Sequence, residues 1–182
     1  AIAAVMVGGF GLFMWQEQEV VGHSGFPLDA SWIHLQMARN LSLGHGMYFN
    51  AGEAVSASSA PLWTLLLAAI HLLSGEEIVP AVKFSAIALL WGAGMVTAAL
   101  GRSLGLSPVW AAGAGMALTV SPRMLWGGLS GMEITLYTLL ATSGIFFHMR
   151  SFCGKPSLAS TALLALASLA RPDCLVLSLI HI

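Results

Sequence analysis

The apolar residues of the chain fall into long blocks that are separated by short polar loops. Six blocks occupy residues 1–15, 61–73, 80–101, 108–122, 133–149 and 157–170. This pattern is typical of a chain that crosses a bilayer repeatedly as helices, because about 20 apolar residues span the hydrocarbon core. We therefore predict an all-α fold, a polytopic transmembrane helix bundle.

The block at 61–73 is too short to cross a membrane as a helix, and it contains His71. Apolar runs of about 10–14 residues are more often interfacial. We therefore predict an interfacial helix over about 61–74. Five spans remain, over about 1–16, 80–101, 108–122, 133–149 and 157–170.

The cationic loops set the orientation. With five spans, the basic loops at 102–107 and 150–156 fall on one side, which the positive-inside rule makes cytoplasmic. The segments 17–79 and 123–132 then face outward. We predict a multi-pass protein of the cytoplasmic (inner) membrane with a site on its outer face.

The outer loop 17–79 is too long for a passive connection. We predict an interfacial helix over about 30–43, with Gly44 as its left-handed cap. At 100° per residue, an apolar stripe is formed by Ala30, Ile33, Met37 and Leu41. The opposite side gathers Asp29, Gln36, Arg39 and Asn40, with Trp32 among them.

Composition agrees with a membrane protein. The chain is 57% hydrophobic and 8% charged, whereas soluble domains are about 25% charged. The net charge of −1 gives no reason to expect a nucleic-acid partner. Cys153 and Cys174 show no metal-ligand spacing and are predicted to be free thiols.

The two ends give further expectations. The first apolar block opens at residue 1 without Met or a basic flank, so we expect a truncated N-terminus. The stretch "LSLIHI" at 177–182 matches the translation of a transposon adapter used in sequencing libraries. It is either such an artefact or an ordinary piece of membrane helix.

Several polar residues of the outer loop are candidates for catalysis or substrate binding, and each also has a purely structural interpretation. Asp29 is either a helix N-cap or a general base at the membrane boundary. Arg39 is either a helix-end cation or a phosphate contact. His34 fits a structural role best. His45, in "GHG", is better placed to point into a cavity as a substrate contact.

A second polar group lies in "SGME" at 130–133. Ser130 and Glu133 match a capping box, which would open the fourth span. Glu133 would also stand at membrane depth, where an ionisable group is a functional candidate. Arg123, at the end of the third span, is expected to be its neighbour and a substrate contact. No P-loop, Rossmann glycine pattern, HExxH or GxSxG occurs.

Three stretches, in this order, resemble GT-C-type membrane glycosyltransferases that use polyprenyl-phosphate sugars, close to arabinofuranosyl- and mannosyltransferases. The first is "LDASWIHLQMARNLSLGHGMYFNAGEAVSASSAPLWTLLLA" at 28–68, which is similar to the first outer loop of the family. The others are "SGMEITLYTLL" at 130–140 and "ARPD" at 170–173. The resemblance implies a helical membrane bundle with juxtamembrane helices.

The resemblance also implies a reaction. A sugar would pass, with inversion, from a polyprenyl-phosphate donor to a cell-envelope glycan or lipid acceptor. Asp29 would be the catalytic base, and Glu133 would line the site. Where a divalent metal ion is used, Asp29 and Glu133 would be its candidate ligands. Arg39 is our own inference for a contact to the lipid phosphate. A 182-residue piece is expected to be inactive alone.

Two departures from the family pattern matter. Leu28 stands where the usual Asp pair has its first member, which weakens a metal site built from paired carboxylates in this loop. The stretch "VSASSA" at 55–60 replaces the usual Glu-Gly-aromatic, so acceptor recognition is expected to differ.

Two other functions remain open at this point. A transporter or flippase of lipid-linked sugars would use the same half-lipid substrate. A non-catalytic membrane scaffold would use Asp29 and Glu133 only as helix caps.

Overall fold

The structure is a computed structural model that describes residues 2–22, 24–50, 53, 58–151 and 157–174. Its eight α-helices are α1 Ile2–Val21, α2 Asp29–Ser42, α3 Pro61–Ser74, α4 Ile78–Ser103, α5 Pro108–Val120, α6 Pro122–Leu129, α7 Ile134–Arg150 and α8 Leu158–Ala170. Short 3₁₀ turns follow α3 and α8. No strand occurs among these residues, which confirms the all-α prediction. The stretch 177–182 and Cys153 lie outside the described residues.

Local sequence explains where several helices begin and end. Prolines occupy the first position of α3, α5 and α6, where the missing N–H costs nothing. Helix α2 ends in a Schellman motif, in which the His45 N–H donates to the Asn40 carbonyl at 2.9 Å. Gly44 takes φ 82° between them, so its prediction as a left-handed cap is confirmed.

Helix α4 is the centre of the bundle, with α1, α3, α5, α6 and α7 packed against it. The main core joins α3 and α4 to α2, α7 and α8. Trp63 and Leu67 of α3 and Val82 of α4 are almost wholly buried in it. Helices α2 and α3, which lie within 17–79, are therefore part of the bundle, because their apolar faces complete its core.

Among the described residues, α4 is the one helix long and apolar enough to cross a membrane. Three further apolar helices, α3, α5 and α8, have 13 or 14 residues each. Helix α6 covers much of 123–132, the segment that we had predicted to connect the third and fourth spans. It forms there because Pro122 starts a new turn directly after α5 ends at Val120.

The buried face of α2 differs from the predicted apolar stripe. The structure exposes Ala30 and buries Asn40, which the prediction had placed on the polar side. Asn40 is buried because its side-chain amide donates to the carbonyls of Tyr48 and Phe49, both at 2.9 Å. The buried face of α2 therefore combines apolar residues, among them Met37 and Ala38, with polar residues that have hydrogen-bond partners.

The contact between α4 and α5 generates a prediction. A methyl group at Gly115 would overlap the backbone carbonyl of Gly94, whereas one at Gly113 on the same helix would meet nothing within 4 Å. Gly115→Ala is expected to destabilise the protein by about 1–3 kcal/mol, as overpacking does. Thermal unfolding in detergent measures this.

Gly113→Ala is the matched control, since it adds the same methyl group to the same helix in open space. Equal melting temperatures for the two variants would contradict the close approach of α4 and α5.

Candidate functional site

The candidate site is built around the turn of residues 130–133, which joins α6 to α7. Ser130, Gly131 and Glu133 are buried. Gly131 has φ 78°, and a Cβ there would lie 2.6 Å from Cδ1 of Phe26. Only glycine combines this backbone conformation with so close a neighbour. The 130–133 turn is thus pressed against the chain that leads into α2.

Helices α2 and α3 hold this turn by hydrogen bonds to its carbonyls. The Ser31 hydroxyl of α2 donates to the Ser130 carbonyl at 2.6 Å. The Trp63 indole N–H of α3 donates to the Gly131 carbonyl at 3.1 Å. Both contacts are buried, so their loss would leave polar groups without a partner.

Glu133 presents a buried carboxylate at the end of this turn. It is 7% exposed, and its Oε1 lies 3.7 Å from Nη1 of Arg171. Its Oε2 is buried without a hydrogen-bond partner in the described part of the chain. A buried carboxylate oxygen normally has a donor, so this oxygen is available to accept one from a bound molecule.

The capping box predicted for Ser130 and Glu133 is absent. Glu133 precedes α7 and makes no capping hydrogen bond, while Ser130 ends α6 and its hydroxyl donates to the Gly127 carbonyl at 2.8 Å. The Glu133 side chain turns instead toward Arg171, where a charged partner compensates part of the cost of burial.

His34 of α2 is the second titratable group of the cluster. It is 5% exposed, and its Nδ1 lies 3.3 Å from the Ser58 hydroxyl. That hydroxyl lies 2.9 Å from the Thr64 hydroxyl. Burial lowers the pKa of His34 below its ordinary value, and the nearby carboxylate of Glu133 partly opposes this shift.

Arg171 supplies the positive charge. Its Nε donates to Asp173 at 2.8 Å. This hydrogen bond is the main cause that raises the pKa of Arg171, and Glu133 adds to it against the opposing effect of burial. Arg171 therefore takes the place beside Glu133 that we had predicted for Arg123. Arg123 is the second residue of α6, and the length of that helix, about 9 Å from Arg123 to Leu129, separates it from the turn. Arg123 is exposed.

Asp29 is exposed and is the first residue of α2. Leu28 occupies the N-cap position, and the Asp29 carboxylate has no hydrogen-bond partner among the described residues. The capping interpretation of Asp29 therefore fails, because the helix begins at the residue itself. Its carboxylate remains near the positive end of the helix dipole, which favours negative charge.

Arg39 is also exposed, and it lines a pocket of about 200 Å³ at the junction of α2, α3 and α4. Gln36 and His71 line the same pocket, and Trp32 forms part of its wall. His45 lies just beyond the end of α2 and is exposed. Its only described role there is the backbone hydrogen bond that caps α2.

A larger groove of about 620 Å³ runs along the other side of Trp32. Its lining is mainly apolar and includes Phe13, Phe26, Trp126 and Leu129. Ser130 also lines it, so the groove ends at the 130–133 turn. A long apolar chain fits this lining better than a polar ligand does.

Two cations of the structure could not be placed from the apolar pattern. Arg171 directly follows the apolar block 157–170, although its place in "ARPD" could have pointed to the site. Lys83 is fully buried in α4 and pairs with Glu17 at 2.6 Å. Nothing in the apolar run around Lys83 indicates a partner 66 residues earlier in the chain.

Within the described residues, no group of three or more His, Cys, Asp or Glu side chains could hold a metal ion. The comparisons with known proteins found no matching family model, curated protein or solved structure.

The lowered pKa of His34 predicts how stability depends on pH. Since the folded protein binds this proton less readily than the unfolded chain, stability decreases as the pH falls below about 6.5, the ordinary value. His34→Gln is expected to show a smaller drop in melting temperature between pH 7.5 and 5.5 than the unsubstituted protein.

Glu133→Gln acts in the opposite direction, because it removes the carboxylate that opposes the shift. Its melting temperature is expected to drop more over the same pH range. Equal pH dependence in all three proteins would contradict the buried His34–Glu133 arrangement.

Proposed function

We propose that this chain forms part of a polytopic membrane glycosyltransferase of the GT-C type. It transfers a sugar from a polyprenyl-phosphate donor to an acceptor at the outer face of the membrane, with inversion. In this proposal, α4 and the apolar segments at 1–16, 108–122, 133–149 and 157–170 are the five spans, and α2 and α3 are juxtamembrane helices.

One observation carries the proposal: the three stretches that resemble the family meet at one place. Ser31 and Trp63 of the first stretch bond the turn that begins the second, and Arg171 of the third pairs with Glu133. These contacts join residues far apart in the chain, at separations of 99 and 68 positions for the two hydrogen bonds. A shared site accounts for motifs that are so dispersed.

The two pockets suit the two halves of such a donor. The groove of about 620 Å³ offers an apolar wall for the isoprenoid chain. The pocket of about 200 Å³ offers Arg39, whose guanidinium fork matches a phosphate. Trp32 lines both pockets, so one amphipathic molecule could pass from one to the other around its indole ring.

The proposed sugar transfer needs few protein side chains. The acceptor hydroxyl attacks the anomeric carbon as the bond from that carbon to the phosphate oxygen breaks, and the hydroxyl proton passes to Asp29. Arg39 stabilises the charge of the departing phosphate. The unpaired Oε2 of Glu133 accepts a hydrogen bond from a sugar or acceptor hydroxyl.

Asp29→Asn tests the catalytic role. The amide keeps the shape of the side chain but cannot take a proton at neutral pH, so turnover is expected to fall by about 10²–10⁴-fold. Membranes from cells that express the complete gene would be assayed with isoprenyl-phosphate arabinofuranose and mannose, and binding of the same donors measured separately.

Glu19→Gln is the control, because it neutralises an exposed carboxylate of α1 to which the proposal gives no role. Unchanged turnover in Asp29→Asn would rule out this base. Donor movement across the membrane without transfer would favour a transporter, and absence of both activities would favour a scaffold.

Arg39→Gln tests the phosphate contact. Loss of a charge-assisted hydrogen bond of about 1.5–3 kcal/mol is expected to raise KM for the donor by about tenfold or more. Arg150→Gln removes the same charge from an exposed helix end elsewhere. Equal KM values for the two variants would contradict the assignment of Arg39.

A further inference from the structure

Lys83 is a fully buried cation in the helix most suited to cross a membrane. A buried ammonium group is costly unless it is paired and hydrogen-bonded. Its Nζ lies 2.6 Å from both carboxylate oxygens of Glu17 and 3.0 Å from the Ser24 hydroxyl. These three acceptors match the three hydrogens of the ammonium group.

Glu17 also holds the chain that follows α1. Its Oε1 accepts the Gly25 N–H at 3.2 Å, and its Oε2 accepts the Ser24 hydroxyl at 3.2 Å. The ion pair therefore joins α1 to α4 and also fixes the backbone of residues 24–25. This backbone comes directly before Phe26.

Phe26 links the Lys83–Glu17 ion pair to the candidate site. Its ring centroid lies 5.8 Å from Nζ of Lys83, and the ring packs against Gly131. Its carbonyl accepts the Trp32 indole N–H at 3.1 Å. One continuous set of contacts thus runs from Lys83 through residues 24–26 to the 130–133 turn and to α2.

We infer that Lys83 and Glu17 are positioning residues for the site, holding the Phe26 segment against the 130–133 turn and thereby setting where Glu133 stands. Lys83 is wholly buried and reaches no substrate itself, whereas Glu17 also lines the groove of about 620 Å³; the pair acts on Glu133 through Phe26. The activity part of this inference rests on the proposed function.

The neutral double variant Lys83→Met/Glu17→Leu tests the inference without leaving an unpaired buried charge, so the fold is expected to survive. In this variant Ser24 and Gly25 lose the acceptor Glu17, and Ser24 also loses the donor Lys83. Amide hydrogen exchange is therefore expected to increase at 24–32 and 128–134. Since a misplacement of about 1 Å can cost about 100-fold, kcat is expected to fall by about that factor. Glu17 also lines the groove, and a change of the groove wall alone would alter KM for the donor and leave kcat unchanged.

The swapped variant Lys83→Glu/Glu17→Lys separates positioning from simple charge balance. It keeps opposite charges, but a lysine at position 17 cannot accept from Gly25 or Ser24. We expect fast exchange and low kcat in this variant as well. Full kcat with native exchange in the swap would mean that only charge neutralisation matters, and would overturn the inference.

Glu19→Gln again serves as control. If the double variant does not fold, Ser24→Ala replaces it, and amide exchange and kcat are expected to change in the same direction by a smaller amount. Unchanged exchange in the folded variants overturns the inference whatever the activity. Faster exchange with unchanged kcat overturns it too. If amide exchange is faster in the variant but the unsubstituted protein shows no sugar transfer, the positioning contacts are supported and the proposed function is refuted.

Discussion

The buried carbonyls of the 130–133 turn are the constraint on which the rest of the structure depends. A carbonyl in an apolar interior needs a hydrogen-bond donor. Ser31 and Trp63 supply the two donors from helices that come much earlier in the chain. Helices α2 and α3 are therefore held against the bundle at defined positions, and Glu133, two residues after Gly131, is placed beside them.

Charge is distributed unequally around this turn. Glu133 is buried against Arg171 and beside His34, whereas Asp29 and Arg39 are exposed on α2. A buried carboxylate suits recognition of a hydroxyl group, and an exposed one suits proton transfer with an acceptor that arrives from solution. The proposed transferase uses both kinds of environment, and the apolar groove that ends at Ser130 would keep the lipid part of the donor in the bilayer.

Much of the local structure could be predicted from the sequence, because it depends on neighbouring residues. The all-helical class, the helix at 61–74 and the Gly44 cap follow from apolar runs, Pro61 and the "GHG" turn. The orientation of α2 could not be predicted, since Asn40 and Ser31 are buried by hydrogen bonds rather than by an apolar stripe. The partners of Glu133 and Glu17 lie 38 and 66 positions away, beyond the reach of periodicity.

The most direct test of the contact between the first two stretches is cross-linking by a short bifunctional thiol reagent of cysteines placed at Ser31 and Ser130, in a protein without its native cysteines. The Ser31 hydroxyl lies 2.6 Å from the Ser130 carbonyl, so the two backbones are close and this pair is expected to be cross-linked rapidly in membranes. A reference pair at Ser31 and Ser103, the latter at the far end of α4, is expected to stay without a cross-link. Equal cross-linking of both pairs, or none of the 31–130 pair, would show that the first and second stretches do not meet at this turn.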